Sequence, residues 1–481
     1  MNKGVIASAL VALPLVCLAE EKPNVLFICI DDLRAEIGAY GKDYMVTPNL
    51  DKLASEGRLF NQHFVQIPVS GPSRECLLTG LMARKTSEIY HEHYAEELAG
   101  STESENPESF VHHLKRNGYT TIGVGKISHH ADGHFKNALE LPYSWTNYVS
   151  DPNCPWKASN LLKTYASGRD MVDGNKNLAY EAADVSDDDY VDGMSLNLAL
   201  NELEKLSKNN DKPFFLSVGF VSPHLPFCSP VKYWDKYDRN SLNISTNPDK
   251  PLNVADEFIY PSVEFNAFYT HPERAGVGVR LPDDYAQLLH HAYYSAASYT
   301  DALVGQLLDK LEELELDKNT IVIVWGDHGW MLGEKTIWGK QNVFDKALNS
   351  VFIVKTPGMN KAGVSSSSLV ATIDIYPTLC ELTGIEAPKE LDGVSFVPIL
   401  ENPKAKTRES VVSHWRNILS LRTERYRFSI YKDGDKEPKL MLFDHKKDPD
   451  EINNLAVEDT KLVQEFMDKV RAVNNGFFNS L

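Results

Sequence analysis

The chain has 481 residues, and 67 acidic side chains against 49 basic ones give it a formal net charge of −18. This acidic balance argues against nucleic-acid binding as the main function. Hydrophobic residues make up 42% of the chain, which is enough for a folded protein with a sizeable core.

The amino terminus has the pattern of an export signal. Lys3 precedes an apolar run from Val5 to Val16, and Cys17-Leu-Ala19 comes before a charged segment. This order is typical of a secretory signal cleaved after Ala19, and the run is too short to span a bilayer. Lipid attachment at Cys17 is disfavoured by the bulky Val16. We expect residues 1–19 to be a signal peptide, no membrane span, and export to the periplasm or out of the cell.

Four apolar runs have the composition of strands buried on both faces of a sheet. They are Asn24 to Ile30, Tyr119 to Val124, Phe214 to Val221 and Thr320 to Val324. Helical patterns lie between them, at Ser109–Asn117 and Ala296–Leu314. The alternation predicts an α/β fold with a large, mostly parallel sheet flanked by helices, in which ligands bind beyond the carboxyl ends of the strands.

Each of these predicted strands ends in side chains that can do chemistry. The segments that follow are Asp31-Asp32, Lys126 with His129, Ser222-Pro223-His224, and Asp327-His328-Gly329. Three carboxylates brought together at one edge would repel one another without a cation, and oxygen ligands favour calcium or magnesium over zinc. An isolated Asp-Asp pair also fits a helix cap, so the metal interpretation depends on Asp327 joining it.

A helix is predicted to begin near Ser70. Pro72 suits a first helical turn, and the pattern continues to Thr79-Gly80. Position 70 would then lie at a helix amino terminus, where backbone N–H groups favour an anion, and Arg74 one turn later could reach the same place.

The carboxyl-terminal part has a different pattern. A boundary is predicted around residues 392–406, followed by short apolar runs at Ser410–Ser413, Ser420–Thr423, Arg427–Tyr431 and Leu440–Phe443. These predict a small antiparallel sheet, and the amphipathic segment Thr460–Asn474 predicts a closing helix. We expect a catalytic domain over residues 20–400 and a subdomain over residues 401–481.

Several other groups of residues favour ordinary structural roles. His91-Glu92-His93 is interpreted as a surface loop, and Asp187-Asp188-Asp189 as a helix start or a solvated run. The six cysteines are widely spaced without a CxxC pair, which argues against a disulfide framework or a zinc site. Pairing of Cys154 with Cys228 is left open.

The stretch Ser70-Gly-Pro-Ser73-Arg74, followed by Thr79-Gly80, resembles the signature of the type I sulfatases. Further segments, S-P-H-L-P-F around His224 and D-H-G-W-x-L-G-E from Asp327, are similar to the iduronate-2-sulfatase-like branch. The resemblance implies an alkaline-phosphatase-like fold and oxidation of residue 70 to formylglycine by a sulfatase-maturating enzyme. Serine at this position resembles the bacterial enzymes of the family, although an engineered replacement of cysteine would look the same.

The resemblance also implies roles for individual residues. One calcium ion would be bound by Asp31, Asp32, Ser70, Asp327 and His328. The cations Arg74, Lys126 and Lys340 would hold the reacting groups, His224 would protonate the leaving alcohol, and His129 would deprotonate the formylglycine hydrate. The adjacent His130 is a competing candidate for the role of His129.

The sequence therefore predicts an exported sulfatase that acts on a sulfated oligosaccharide or polysaccharide. The sugar would come from a uronate-containing glycan or an algal galactan such as carrageenan. Many members of the branch carry Lys before Pro-His, where this chain has Ser222, so sugar recognition is expected to differ. Two alternatives are a phosphatase or phosphodiesterase of the alkaline-phosphatase superfamily and a non-catalytic glycan-binding protein. The oligomeric state is not predicted.

Overall fold

The computed structural model describes residues 22–83, 108–135, 138–150, 165–166, 177–209 and 211–474. The predicted signal segment, Cys154 and His91-Glu92-His93 lie outside these residues. At the centre is a seven-stranded sheet of β1 (Asn24–Ile30), β2 (Arg58–Leu59), β3 (Thr120–Gly125), β4 (Asn147–Val149), β5 (Phe214–Phe220), β6 (Thr320–Gly326) and β7 (Phe352–Lys355). Their order across the sheet is β2-β7-β6-β1-β5-β3-β4.

The five strands from β6 to β4 in that order are parallel, and β7 and β2 are added antiparallel at one edge. In the central register, Val25 of β1 pairs with Phe215 on one side and Ile321 on the other. The predicted mostly parallel sheet is therefore confirmed.

Both faces of the sheet are buried, which explains the continuous apolar runs. Along β1, Leu26, Ile28 and Ile30 point into one hydrophobic cluster, while Phe27 and its alternate neighbours point into the other. Successive side chains of a strand alternate between the two faces, so each face carries its own set of apolar side chains. Helices cover both faces and bury these side chains. The core consequently lies on both sides of the sheet.

The helices are α1 (Pro48–Glu56), α2 (Ser70–Thr79), α3 (Phe110–Arg116), α4 (Val191–Lys208), α5 (Val231–Trp234), α6 (Val263–Phe268), α7 (Asp283–Glu313), α8 (Asp345–Leu348), α9 (Ile375–Thr383), α10 (Val397–Glu401) and α11 (Thr460–Val473). Buried side chains of α1, α4 and α7 belong to one core cluster, and those of α2, α3 and α9 to the other. The predicted helix start at Ser70 is confirmed.

Helix α7 is longer than the sequence pattern predicted. It begins at Asp283 rather than Ala296, after Pro282 as its N-cap and with two aspartates in its first turn. Acidic side chains stabilise the positive end of a helix dipole, so this start has a local cause. Its first half also carries polar and histidine side chains that are buried by tertiary contacts, and these obscured the apolar pattern.

Two-stranded pairs support the loops around the sheet edge. They are Tyr180–Ala183 with Phe227–Pro230, Asn177–Leu178 with Tyr269–Thr270, Met331–Leu332 with Trp338–Gly339, His63–Phe64 with Val370–Ala371, and His134–Phe135 with Ala138–Leu139. The predicted helix start at Asp187–Asp189 is a short 3₁₀ turn just before α4.

The carboxyl-terminal part forms a four-stranded antiparallel sheet of β8 (Ser410–Trp415), β9 (Ile418–Thr423), β10 (Tyr426–Tyr431) and β11 (Lys439–Asp444). Helix α11 closes it, with Phe466 and Val470 packed against Leu419, Phe428 and Leu442. The predicted fold class is confirmed, and the exact domain limits stay a prediction.

The four cysteines in the described part of the chain are Cys29, Cys76, Cys228 and Cys380, and all four are free and buried. Cys228 is therefore a free thiol here, so the pairing left open with Cys154 finds no support. Across the same residues, no helix combines the length and apolar character needed to cross a membrane.

Candidate active site

The chemically active side chains converge where the parallel strands end, as predicted. Asp31 and Asp32 follow β1, Lys126 follows β3, His224 lies four residues beyond β5, and Asp327 follows β6. All five are nearly inaccessible to solvent. Parallel strands present their carboxyl ends at one edge, so residues almost 300 positions apart meet: the backbone N–H of Asp32 donates to Asp327 Oδ1 at 3.1 Å.

Ser70 lies at the centre of this group. It is the first residue of α2, and its hydroxyl donates to Asp31 Oδ1 at 3.0 Å. The same Oγ is 3.1 Å from His328 Nε2 and accepts from Lys340 Nζ at 3.4 Å. The predicted nucleophile position is thus surrounded by predicted metal ligands and one predicted cation, at the positive end of a helix.

Four side chains form a group that could hold a cation. The ligand atoms of Asp31, Asp32, Asp327 and His328 all lie within 4.8 Å of one another, and all four residues are buried. Asp32 Oδ2 has no hydrogen-bond partner, although it is buried. A buried carboxylate oxygen without a partner is costly, and a bound cation would relieve that cost. The predicted ligand set therefore fits a divalent metal.

The protonation preferences of these groups reflect their crowding. Burial and repulsion from Asp31 raise the pKa of Asp327 to about 8, and burial raises the pKa of Asp32 to about 6. Burial also acts on Asp31, but Lys126 and the other nearby cations hold the pKa of that carboxyl well below its usual range. Without further positive charge, three adjacent carboxylates cannot all ionise easily.

His328 presents a neutral nitrogen to the site. Burial and the Lys340 ammonium keep the pKa of His328 well below its usual range. Its Nδ1–H donates to the carbonyl oxygen of Gly329 at 3.0 Å, so the lone pair is on Nε2, which faces Ser70. A neutral imidazole held in this tautomer can ligate a metal.

The three predicted cationic side chains are all in the site. Arg74 donates from Nε to Asp327 Oδ2 at 3.1 Å and from Nη1 to the carbonyl oxygens of Lys126 and Ile127, at 2.7 and 3.1 Å. The Lys126 ammonium contacts Asp31 Oδ2, and Lys340 Nζ donates to Asp32 Oδ1 at 3.0 Å.

The two predicted acid–base histidines occupy different surroundings. His224 Nδ1–H donates to the carbonyl oxygen of Leu225 at 2.7 Å, and its Nε2 lies 3.8 Å from Asp32 Oδ2. Burial disfavours the charged form, but Asp32 and other carboxylates raise the pKa of His224 above its ordinary value.

His129 and His130 both adjoin Glu140. The His130 ring contacts Glu140 Oε1 through Nδ1, and the backbone N–H of His129 donates to Glu140 Oε2 at 3.2 Å. Because the competing His130 ring is engaged by a buried carboxylate, His129 stays our prediction for the second acid–base group.

Three residues of the site were not predicted. Glu264 lies 3.3 Å from His224 Nε2, Ser73 donates to the carbonyl oxygen of Asp327, and Glu140 anchors the histidine pair. Ser73 is part of the motif that carries the resemblance, so that signal existed. Glu140 and Glu264 lie in segments with no motif, and only the folded chain brings them to the site.

A second group, Asp345, His445 and Glu451, also has ligand atoms within 4.8 Å of one another. Here Arg427 and Arg422 contact Asp345, and Arg427 Nε is 3.1 Å from Glu451. Two guanidinium groups already supply the positive charge, so this group is an ion network between α8 and the carboxyl-terminal sheet.

Residues 23–385 match the family described as Sulfatase, and residues 333–475 match the carboxyl-terminal region of N-sulphoglucosamine sulphohydrolase. Human iduronate 2-sulfatase is 30% identical over 406 residues, which cover 78% of this chain and 71% of that protein. A sulfatase of Formosa agariphila is 29% identical over 455 residues, covering 91% of this chain and 83% of that one.

Solved structures support the fold. The phosphonate monoester hydrolase of Agrobacterium radiobacter superposes with a TM-score of 0.73 at 20% identity, covering 94% of this chain and 95% of that one. A protein solved in complex with its substrate D-glucosamine-2-N,6-O-disulfate superposes with a TM-score of 0.69 at 19% identity, covering 96% and 99%. The family match over most of the chain and the 30% identity with human iduronate 2-sulfatase show that the chain belongs to the sulfatase family and is a sulfuric ester hydrolase.

Proposed function

We propose that this enzyme removes sulfate from a sulfated carbohydrate, using a nucleophile formed from Ser70 by oxidation to formylglycine. The observation that carries the proposal is the position of Ser70 Oγ, within 3.4 Å of Asp31, His328 and Lys340 at the start of α2. An unmodified serine hydroxyl needs a dedicated base to become nucleophilic. The carboxylate, imidazole and ammonium groups around Ser70 suit a metal-bound oxygen instead.

Residue 70 as formylglycine hydrate would supply one oxygen to attack sulfur and a second through which the enzyme later releases sulfate. A calcium ion held by Asp31, Asp32, Ser70, Asp327 and His328 would supply positive charge beside that residue. The arrangement of acidic oxygen ligands is the support for calcium.

The remaining site residues would stabilise developing charge or transfer protons. Lys340 would stabilise the charge that develops on sulfate oxygens, and Arg74 would keep Asp327 in place. His224 would donate the proton on Nε2 to the leaving alcohol, since Nδ1 is committed to Leu225. His129 would take the proton of the second hydroxyl once the first oxygen carries the sulfate, so that the C–O bond to sulfate breaks and the aldehyde forms again.

The substrate class comes from several relatives. Iduronate 2-sulfatase and an ulvan-active sulfatase of Formosa agariphila, the latter 30% identical over 451 residues, are named for sulfated glycans or their sugars. We extend that class, a sulfated oligosaccharide or polysaccharide, to this chain. Export through residues 1–19 and oxidation of Ser70 by a sulfatase-maturating enzyme complete the proposal.

Peptide mass spectrometry of protein purified from its native host tests the nucleophile. The peptide containing Ser70 is expected to have lost two hydrogens, and the purified enzyme is expected to release sulfate from sulfated oligosaccharides. Ser70→Ala should abolish sulfate release while leaving the fold intact, which circular dichroism checks. Ser55→Ala, which alters an exposed hydroxyl in α1, serves as the control with normal activity.

Two outcomes would contradict the proposal. An active native enzyme whose Ser70 is unmodified would show that the serine acts directly, as in the phosphatase alternative. A Ser70→Ala variant that still releases sulfate at the normal rate would remove residue 70 from the reaction altogether.

A further inference from the structure

Glu264 adjoins both groups that are proposed to handle the leaving oxygen. Its Oε1 lies 3.3 Å from His224 Nε2, and its Oε2 lies 3.9 Å from Lys340 Nζ. The side chain of Glu264 is 17% exposed, whereas those of His224 and Lys340 are 3% and 2% exposed. Glu264 is therefore on the solvent side of the two cations, where the sugar attached to a bound sulfate must lie.

The backbone around Glu264 is held on both sides. Its own N–H donates to Tyr260 Oη at 3.0 Å. The Ser262 hydroxyl oxygen accepts from the backbone N–H of Trp338 at 2.9 Å, and the Phe265 ring stacks on Trp338 at 5.6 Å between centroids. Because Trp338 is two residues before Lys340, the segment that carries Glu264 and the segment that carries Lys340 are bound to each other.

This geometry constrains the sugar. His224 Nδ1 is committed to Leu225, so the leaving oxygen must approach Nε2, the nitrogen beside Glu264. Substituents on carbons next to the sulfated carbon would then meet the carboxylate. An ionised carboxylate only accepts hydrogen bonds, so a hydroxyl or ammonium is favoured there, and a second carboxylate is repelled.

We propose that Glu264 is a specificity-determining residue that accepts a hydrogen bond from a hydroxyl or ammonium next to the sulfated carbon and disfavours a carboxylate at that position. The inference rests on the proposed function, because it requires a sugar sulfate to occupy the site. It separates the two glycan classes that the sequence left open: a neutral or amino sugar is favoured over a uronate whose carboxylate adjoins the scissile ester.

The probes are methyl glycosides of galactose, glucosamine and galacturonic acid, each carrying a single sulfate at one of its free hydroxyls in turn. The charge comparison uses the 4-sulfates of galactose and galacturonic acid, because C4 is the hydroxyl-bearing carbon next to the carbon that carries the carboxylate. Wild-type enzyme is expected to prefer the galactose 4-sulfate over the matched galacturonide 4-sulfate by about tenfold or more in kcat/KM, because a charged hydrogen bond is gained and a repulsion avoided. Glu264→Gln keeps the shape, removes the charge and should narrow that ratio about tenfold.

A deoxy analogue of the best probe, lacking the neighbouring hydroxyl or amine, completes the test. Glu264→Gln should lower kcat/KM about tenfold for the parent and leave the deoxy analogue within about twofold. The same pattern is expected for binding measured by calorimetry in a Ser70→Ala background, which needs no maturation. Glu257→Gln is the matched control, since this exposed glutamate of the same region contacts Lys439 instead.

Three results would contradict the inference, each for a different reason. If Glu264→Gln lowers turnover of parent and deoxy analogue equally and leaves binding unchanged, Glu264 only positions His224 and the inference is wrong. If the galacturonide is cleaved as well as the matched galactoside, the charge argument is wrong. If wild-type enzyme with oxidised residue 70 releases sulfate from no sulfated sugar, the proposed function itself fails and the inference fails with it.

Discussion

The guanidinium of Arg74 donates to the Asp327 carboxylate and to the carbonyl oxygens of Lys126 and Ile127. One side chain thereby joins α2 to the ends of β3 and β6. A lysine could not make these contacts together, because its ammonium lacks the planar, forked arrangement of donors. At this scale, a single side chain with several donors holds three segments of the chain in position.

His224 carries the sharpest prediction for a single residue. Replacing it with Gln removes the proposed proton donor, so kcat for a sugar sulfate should fall by about 10²–10⁴. A nitrophenyl sulfate has a leaving group that is stable as an anion, so its kcat should fall much less. Steady-state rates on both substrates check this. Equal losses on the two would mean that His224 does not protonate the leaving oxygen.

At the scale of elements, the segments after β1 and β6 are bound by a buried ion network. Arg34 Nη1 is 2.8 Å from Glu334 Oε1 and donates to the carbonyl oxygen of Trp330 at 3.1 Å, and its Nε contacts Glu36. These contacts link the residues beyond Asp32 to the two-stranded turn before Lys340. The network thus fixes the two segments that carry Asp32 and Lys340 relative to each other.

Glu334→Gln tests that support through its pH dependence. Burial opposes ionisation of Glu334, but Arg34 lowers its pKa from 4.5 to about 2. A carboxyl whose pKa is depressed in the folded state stabilises the fold above its unfolded pKa, and this contribution is lost as pH falls towards the folded value. The variant should be less stable than wild type by about 3 kcal/mol at pH 7.

Urea unfolding at several pH values measures the difference, which should begin to shrink below about pH 4.5 and vanish near pH 2. Glu313→Gln, at an exposed end of α7, is the control and should change stability by less than about 0.5 kcal/mol. A difference that stayed constant with pH would show that the variant acts through packing rather than charge.

At the scale of the whole molecule, the site depends on the sheet as a unit. The proposed metal ligands Asp31 and Asp327 are almost 300 positions apart in the chain, and they meet because β1 and β6 are paired in register along their full length. A cation bound between them would bind the folded chain and not the unfolded one. Ligand binding of this kind stabilises the folded state.

Calcium removal is therefore expected to lower the melting temperature by a few degrees, and added Ca²⁺ should restore it. At a concentration one hundred times Kd, a ligand adds about 2.7 kcal/mol. Scanning calorimetry with chelator, then with Ca²⁺, measures the effect. Asp327→Asn should make the melting temperature insensitive to calcium. If the melting temperature of the wild-type protein is equally insensitive to calcium, no structural calcium is bound at this site.

Much of the site could be predicted because its signals are local. Parallel strands buried on both faces require continuous apolar runs, so the runs Asn24 to Ile30 and Thr320 to Val324 marked the strands. The polar residues directly after them had to lie at one edge of the sheet. The limits of α2 were equally readable. Pro72 indicated its start near Ser70, and Gly80, which adopts a positive φ of 66°, indicated its end.

Local patterns along the chain were enough to predict the strand runs, the start of α2 and the residues placed at the strand ends, because each depends on its neighbours in sequence. Contacts between distant segments set the strand order, the antiparallel edge at β7, the contact of His130 with Glu140 and the position of Glu264 beside His224. The last contact joins helix α6 to the segment after β5, and no periodic pattern in the sequence predicts it. Such pairs form because the packed sheet brings distant loops together, and their energies depend on burial and charge that exist only after folding.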